Sequence, residues 1–405
     1  MKALFFANTD WYLYNFRLAL AKAVREMGIE VVLISPPGDF GPRLRAEGFR
    51  WIPVPMNRRS LNPWSEAKFI VELVSLYRRE RPDIVHHFTI KPVIYGSIAA
   101  RLAGIVRRVN AVTGLGHVFI SQNIRAGLLR PVVRSLMKFA LNGPQGRLVL
   151  QNGDDRDLFL KYKLVATGRV RLIRSSGVDT SKFRWISGNG NTRGRIRVLL
   201  ATRLIWEKGI GEYVEAARLL KRDCGNIEFM IAGSNDEGNP ASVPNAFISK
   251  WAGEGVIHPL GHVDNMAGLL SRVDIVVLPS YREGVPRILI EAAACGLPLV
   301  ATDVPGCREI VAHNVNGLLV PAKDSISLAG AIRHLSANPD ERVRMGEAGR
   351  KKALEEFDEK IVIRETLGVY RELLSIPSPE AKGILGPTAN LDALAEAMRK
   401  MMYAV

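Results

Sequence analysis

The chain has 405 residues, of which 47% are hydrophobic and 24% charged, a composition typical of a globular protein with two or three domains. Three cysteines without a CxxC pair exclude a disulfide framework and argue against a cysteine zinc site. No uncharged apolar run reaches the roughly 18 residues of a membrane span, and the apolar start is too short for a signal peptide, so we expect a cytoplasmic protein.

The positive charge is concentrated in the first half. The net charge is +16, and residues 1–180 carry 28 basic and 13 acidic residues. No acidic residue occurs between Asp83 and Asp154, whereas nine basic residues lie between Lys91 and Arg147. This asymmetry predicts an anionic partner for the first half, with a nucleic acid, a membrane surface and a phosphorylated ligand as the alternatives.

The first half alternates short apolar runs with helical periodicity, which is the pattern of βαβ units around a parallel sheet. We expect buried strands at 4–7, 31–34, 84–88, 109–112 and 148–150, and helices at 16–27, 64–79 and 94–103. The segment 124–142 also has helical spacing, with Arg130, Arg134 and Lys138 four residues apart. It is either a basic amphipathic helix that docks on an anionic membrane or a core helix with a solvated edge. Pro131 fits that helix only if it begins near Leu129.

The same alternation restarts after the polar stretch 187–194, the best candidate for a linker. Strands are expected at 196–201, 227–232, 274–279 and 299–301, and helices at 212–221, 287–295 and 355–374. We therefore predict an α/β protein with two doubly wound, Rossmann-like domains, 1–185 and 186–355, facing each other across a cleft. The segment 356–405 would hold a helix crossing back to the first domain and a tail.

Two loops of the second half carry chemistry that fits a polar, phosphorylated ligand. Glu283 and Gly284 lie between a strand and a helix, and Glu291 lies within that helix. Two carboxylates at one sheet edge can accept hydrogen bonds from several hydroxyl groups. Arg203 and Lys208 follow the first strand of this half, and together they suit a diphosphate.

These residues resemble the motifs of the retaining glycosyltransferases of family 4, which have the GT-B fold. The matching patterns are Glu283-x7-Glu291 and Arg203-x4-Lys208, supported by the segments 176–179, 260–263 and 304–309. The resemblance covers about residues 1–374. It implies an enzyme, a glycosyltransferase, that transfers a hexose or N-acetylhexosamine from a nucleotide sugar.

Within the family, the segments 11–17 and 113–116 and Lys91 resemble enzymes that build bacterial surface glycans on undecaprenyl diphosphate. The resemblance implies a donor with uracil as the expected base and a saccharide on a polyprenyl diphosphate as the acceptor. It also implies a peripheral position at the inner face of the cell membrane.

The resemblance further implies a role for each site residue. Arg203 and Lys208 would hold the donor diphosphate, and Glu283 would hold the sugar together with the amides of Gly284 and Val285. Glu291 would bind the ribose, and His262 and Val263 would line the base. The implied acceptor-side residues are Asp10, Asn15, Arg17, Lys91, Thr113, Gly114, Gly116 and His117. No metal and no other cofactor is expected, because cationic side chains would neutralise the diphosphate.

The sequence departs from the family pattern in the first half. The loop 8–11 lacks the frequent Gly-Gly pair, and Thr113 stands where many relatives have a histidine. Whether His117 replaces that histidine stays open. His86 and His87, on a predicted strand, are interpreted as structural.

Two other classes of function remain as alternatives. One is a nucleotide-sugar epimerase of similar fold, whereas a dinucleotide enzyme lacks its GxGxxG after the first strand. The other is a non-enzymatic binder of anionic membrane surfaces, which would leave the carboxylate and cation motifs of the second half unused. A nucleic-acid binder is not expected, because basic and aromatic residues are rarely interleaved.

Overall fold

A computed structural model describes residues 1–57, 62–114, 124–185, 194–223, 226–236 and 238–375, apart from the side chains of 124–130, 132, 223 and 375. The chain divides into two compact units. Among the described residues, the first consists of Met1–Ile173 and 363–375, and the second is Arg174–Val362. Residues 174–185, placed in the first domain by the sequence prediction, thus belong to the second unit.

The first unit is built on a parallel sheet of seven strands in the order β3-β2-β1-β4-β5-β6-β7. The strands are β1 Lys2–Phe6, β2 Glu30–Ser35, β3 Arg50–Pro53, β4 Ile84–Phe88, β5 Arg108–Val112, β6 Gly146–Leu150 and β7 Val170–Leu172. The central strands are buried, because helices cover both faces of a parallel sheet, although β4 contains two histidines and β5 an arginine and an asparagine. The order reverses between β1 and β4, and ligands of such sheets bind at this switch point, beyond the carboxyl ends of the strands.

The helices of the first unit largely follow the predicted periodicity. They are α1 Asp10–Tyr12, α2 Leu18–Glu26, α3 Gly41–Ala46, α4 Pro63–Glu80, α5 Ile90–Leu102, α6 Ile124–Leu141 and α7 Gly153–Lys161. A π-helical turn, Leu13–Arg17, joins α1 to α2, where the sequence predicted the first turn of an α-helix. The helix expected over 124–142 is confirmed as α6, which begins at Ile124, so Pro131 lies in its interior and not in its first turn.

The second unit has a parallel sheet of six strands in the order β10-β9-β8-β11-β12-β13. The strands are β8 Ile196–Ala201, β9 Ile227–Ala232, β10 His258–Gly261, β11 Ile275–Leu278, β12 Leu299–Thr302 and β13 Gly317–Val320. The switch point of this sheet lies between β8 and β11. The two sheets confirm the predicted fold class of two Rossmann-like α/β domains.

The helices of the second unit surround this sheet. They are α8 Ile210–Asp223, α9 Asn245–Gly253, α10 Met266–Leu270, α11 Arg287–Ala294, α12 Pro305–Ile310, α13 Ser325–Ala337 and α14 Pro339–Glu356, followed by α15 Glu359–Ser375, which ends in the first unit. The helix expected at about 355–374 is present as α15, but it begins four residues later, and 355–356 belong to the end of α14. The two helices are separated because Val178 pairs with the backbone of Phe357 and Glu359, with N–O distances of 3.0 Å. Among the described residues, none of the helices has the length and apolar character needed to cross a membrane.

Candidate functional site

A lysine–glutamate pair lies at the switch point of the second sheet. Lys208 is in the loop after β8 and Glu283 is in the loop after β11. The Nζ of Lys208 lies 2.5 Å from Oε1 of Glu283, and the two side chains are only 17% and 11% exposed. Such a pair interacts more strongly than a surface pair, because little water screens it. Two of the three residues predicted as catalytic are therefore in direct contact.

Two glycines allow the loops around this pair to pack closely. Gly209 has a φ of +71°, and a Cβ atom there would collide with the carbonyl of Pro279. Gly306, at the start of α12, lies against the carbonyl of Gly284 in the same way. The amide of Tyr281 completes the contact between the loops with a hydrogen bond of 2.9 Å to the carbonyl of Glu207. The backbone around Glu283 is thus fixed from two sides.

Arg203, the third predicted catalytic residue, pairs with a different carboxylate. Its Nη1 lies 2.9 Å from Oδ2 of Asp236, in the loop after β9, and Asn239 donates to the same oxygen over 3.0 Å. The side chain of Arg203 is 58% exposed, whereas that of Asp236 is 16% exposed. Asp236 was not among the predicted site residues, although its place just after a predicted strand put it at the same sheet edge as Arg203.

Glu291 lies inside the unit, one helical turn after Arg287. Its Oε1 accepts a hydrogen bond of 2.7 Å from Nε of Arg287. Burial raises the pKa of the Glu291 carboxyl, and the charges of Arg287 and Lys182 oppose this shift. Glu291 is thus a largely buried carboxylate next to a single arginine, rather than a solvated surface group.

The remaining predicted donor-side residues lie in loops at the same edge of the sheet. Val285 belongs to the buried core of the second unit, and the partly buried Val263 packs against this core. His262 follows β10, with its Nε2 3.3 Å from Oδ1 of the exposed Asp264. Ser280, next to the Glu283 loop, is fully buried, and its hydroxyl has no hydrogen-bond partner among the described residues. The sequence analysis did not single out Ser280.

In the first unit, Asp10 and Asn15 contact the backbone. The carboxylate of Asp10 accepts hydrogen bonds of 2.8 Å from the amides of Phe40, Gly41 and Trp11. Asn15 donates to the carbonyl of Trp11 over 3.0 Å. Asp10 is 5% exposed, so its contacts hold the loop after β1 to the start of α3.

Lys91 is held in an ion pair of its own. Its Nζ lies 2.9 Å from Oε1 of Glu66 and 2.5 Å from the carbonyl oxygen of Asn57. Both charged side chains are mostly buried. Thr113 follows directly after β5, and Gly114 comes next. The predicted residues Gly116 and His117 lie outside the described residues.

Arg17 lies at the switch point of the first sheet. Its Nε and Nη2 donate to the hydroxyl of Tyr12 over 3.2 and 2.7 Å. Its Cζ lies 4.7 Å from the ring centroid of Phe88, the last residue of β4. The guanidinium is therefore held by aromatic side chains at the carboxyl ends of β1 and β4.

The two adjacent histidines of β4 face opposite sides of the sheet. Nδ1 of His86 lies 2.8 Å from the hydroxyl of Tyr370, and Nε2 of His87 lies 3.0 Å from that of Tyr77. Burial lowers the pKa of both, that of His87 to about 3, and the charge of Arg17 lowers that of His86 further. Both rings are therefore neutral at pH 7, and they hold helices to the sheet.

The three basic residues predicted to dock on a membrane differ in their surroundings. The guanidinium carbon of Arg134 lies 3.8 Å from the ring centroid of Tyr162, so this side chain stacks on the protein. Lys138 is exposed. The side chain of Arg130 is outside the described part of α6. Among the described residues, no group of three His, Cys, Asp or Glu side chains is arranged to hold a metal ion.

Known protein families match both units of the chain. Residues 2–150 match the model of the 4-like glycosyl transferases, and residues 181–352 match that of the glycosyl transferases group 1. The chain belongs to the glycosyltransferases. Each match covers most of one structural unit, so the resemblance expected from the motifs is confirmed on both sheets, and so is the prediction of an enzyme.

Similar proteins are known among bacterial glycan enzymes. The chain is 29% identical over 384 residues to the N,N'-diacetylbacillosaminyl-diphospho-undecaprenol alpha-1,3-N-acetylgalactosaminyltransferase of Campylobacter jejuni, covering 92% of this chain and 99% of the relative. It is 26% identical to the UDP-Gal:alpha-D-GlcNAc-diphosphoundecaprenol alpha-1,3-galactosyltransferase of Escherichia coli, covering 69% and 73%. Among solved structures, sucrose-phosphate synthase from Thermosynechococcus elongatus superimposes with a TM-score of 0.76 at 19% identity, covering 93% of this chain and 100% of that one. This last similarity supports the GT-B fold.

Proposed function

We propose that this glycosyltransferase moves a hexose or an N-acetylhexosamine from a UDP-sugar to a saccharide on a polyprenyl diphosphate. Two relatives support the acceptor class, because both are named for diphospho-undecaprenol saccharides. The name of the second relative also contains UDP-Gal, which supports the uridine donor. The product would serve bacterial surface glycan or glycoprotein glycan assembly.

The Lys208–Glu283 pair is the observation that carries the proposal. When a UDP-sugar binds at the switch point, its diphosphate would approach the Lys208 ammonium, which is already held in a poorly solvated position. The ammonium would stabilise the negative charge that develops on the leaving UDP as the bond to the sugar breaks. Glu283, freed in part from Lys208, would accept hydrogen bonds from hydroxyl groups of the sugar. Transfer would retain the anomeric configuration.

The other donor contacts follow from the same sheet edge. Glu291 would accept hydrogen bonds from the ribose hydroxyls, and His262 and Val263 would line the uracil. Arg203 is exposed and paired with Asp236, so a diphosphate can replace the carboxylate of Asp236 as its anionic partner. With two cations available to the diphosphate, we propose transfer without a metal or another cofactor.

We also propose that the first unit works at the inner face of the cell membrane. The chemistry requires it, since a polyprenyl acceptor stays in the bilayer, and residues 1–180 carry 28 basic against 13 acidic residues. Each basic residue near an anionic surface contributes about 1 kcal/mol. Changing Arg130, Arg134 and Lys138 together to glutamate should release the protein from anionic vesicles. If the mutant and the wild type sediment equally with anionic vesicles, α6 is not the docking surface.

The function is tested with a panel of nucleotide sugars and a short-chain polyprenyl diphosphate saccharide. We expect mass spectrometry to detect an acceptor extended by one sugar, and UDP to be released only when the acceptor is present. NMR of the new linkage reports whether the anomeric configuration is retained. A donor converted to its epimer without acceptor would instead indicate an epimerase, and a chain that binds vesicles without any turnover would indicate a membrane binder.

A further inference from the structure

The first unit contains a buried arginine without a carboxylate partner. Arg17 is only 6% exposed. Its hydrogen bonds go to the hydroxyl of Tyr12, and among the described residues no carboxylate lies within ion-pair distance of its guanidinium. A buried charge without a counter-ion is costly, so such groups are normally paired.

The surroundings of Arg17 do not supply the missing negative charge. Its guanidinium lies over the rings of Phe88 and Tyr12, at 4.7 and 5.4 Å. His86, which is close enough for the charge of Arg17 to lower its pKa, is neutral, and its Nε2 is buried without a hydrogen-bond partner. The pocket around the guanidinium thus consists of neutral rings and a hydroxyl.

Two other cations of the same unit differ from Arg17. Lys91, also predicted on the acceptor side, is neutralised by Glu66 at 2.9 Å. Arg108 is buried as well and donates to the carbonyl of Ser97, while its Nε has no hydrogen-bond partner among the described residues, but it lies at the start of β5, at the amino end of the strands. Among these three cations, Arg17 alone combines burial, the carboxyl edge and the absence of a neutralising group.

The position of Arg17 is that of a ligand site. It ends the π-helical turn after β1 and packs on the last residue of β4, at the switch point of the first sheet. Single π-helical turns occur frequently at functional sites. The planar guanidinium binds phosphate oxygens in pairs, and Tyr12 holds only one side of it.

We infer that Arg17 binds the diphosphate of the polyprenyl acceptor. The inference rests on the proposed function for the identity of the ligand, since a diphosphate could also come from the nucleotide. The anion would supply the counter-charge that the protein lacks around Arg17. The saccharide and the lipid would extend from the two ends of this diphosphate.

The test is calorimetric titration of the full chain with geranyl diphosphate, in the presence of saturating UDP so that the nucleotide site is occupied. We expect wild type to bind geranyl diphosphate, and geranyl monophosphate more weakly. Arg17→Gln should weaken binding about tenfold to a hundredfold, as expected for the loss of a hydrogen-bonded charge contact. Arg17→Lys keeps the charge but not the planar guanidinium, so its affinity for geranyl diphosphate should lie between those of wild type and Arg17→Gln.

A matched control is Arg25→Gln. Arg25 is also stacked on an aromatic ring, that of Phe49 at 4.3 Å, but it is exposed and bonded to backbone carbonyls. This variant should bind geranyl diphosphate like wild type. UDP affinity should be unchanged in all variants, because the proposed nucleotide site lies in the second unit, and thermal unfolding followed by circular dichroism should show that the first unit is folded.

Two results would overturn the inference. In one, Arg17→Gln binds geranyl diphosphate with wild-type affinity. In the other, the wild-type protein binds geranyl diphosphate without UDP but no longer binds it when UDP is saturating. Failure of the proposed function looks different: Arg17-dependent binding would persist, while no sugar is transferred to any polyprenyl diphosphate saccharide. Transfer with an acceptor KM that Arg17→Gln leaves unchanged would reject the Arg17 site and keep the proposed function.

Discussion

Replacing Lys208 with methionine removes the charge of the Lys208–Glu283 pair and keeps a side chain of similar length. Glu283 would then be a poorly solvated carboxylate without its counter-ion. Breaking a buried ion pair costs about 3–5 kcal/mol, and we expect about 2–3 kcal/mol here because both side chains keep some exposure. At about 2–4 °C per kcal/mol, the melting temperature of the second unit should fall by about 4–12 °C.

The same change should lower turnover about 10²–10³-fold, because a single donor to the charge developing in the transition state is lost. The two effects separate when Glu283→Gln is added to Lys208→Met. The double variant should regain most of the stability, since no unpaired charge is left, and it should regain none of the turnover. Thermal unfolding and steady-state kinetics of the four proteins form a double-mutant cycle.

The expected coupling in stability is about 1–3 kcal/mol, the range found for residues in contact. Arg344→Gln is the matched control, because Arg344 forms a more exposed pair with Glu341, 2.8 Å apart. Its loss should change the stability far less than Lys208→Met does, because water screens an exposed pair. Stability changes that simply add in the double variant, or near-normal turnover of Lys208→Met, would refute the reasoning.

Three further changes test other parts of the structure. Glu291→Gln should weaken UDP binding in calorimetry more than Glu283→Gln does; equal losses would contradict the proposed division between ribose and sugar. Because burial raises the pKa of Glu291, its contribution to stability should be lost as the pH rises through and above the usual value of 4.5, and Glu291→Gln should flatten this loss in pH-dependent unfolding curves. Gly306→Ala should destabilise the protein and lower turnover, since its methyl group meets the carbonyl of Gly284, whereas Gly330→Ala, with open space around it, should be neutral or stabilising. Tyr370→Phe leaves Nδ1 of His86 without a partner and should cost about 1–3 kcal/mol in denaturant unfolding; no change would argue against this contact.

The sequence predicts the interior of both sheets and misses their edges. All nine strands expected from apolar runs exist, whereas β3, β7, β10 and β13 were not expected. These four are the edge strands of the two sheets. An edge strand pairs on one side only, so charged residues and prolines are tolerated in it, and β3, β7 and β10 therefore lack a continuous apolar run. β13, by contrast, is an apolar and mostly buried run of four residues that was not predicted.

For the site, the sequence gives the residue types but not their partners. Local spacing indicated Lys208 and Glu283, and the parallel topology placed their loops at one sheet edge. Lys91 and Glu66 are 25 positions apart in the sequence, and Arg203 and Asp236 are 33 positions apart. They lie on different loops and helices, and the local spacing of residues in the sequence does not encode how these elements pack. Arg134 stacks on Tyr162 for the same kind of reason, since the contact lies between two separate helices.

The last described helix, α15, affects how the protein can be made on the ribosome. It begins in the second unit and ends in the first, where Tyr370 contacts His86 and Glu372 contacts both Arg147 and Arg171 at 2.7 Å. The first unit is therefore completed only when nearly all of the described chain has been synthesised, although most of it is made first. The second unit, 174–362, is continuous and can fold as soon as it emerges. A stop codon just before α15 would leave the second unit nearly whole and the first unit without the partner of its buried histidine.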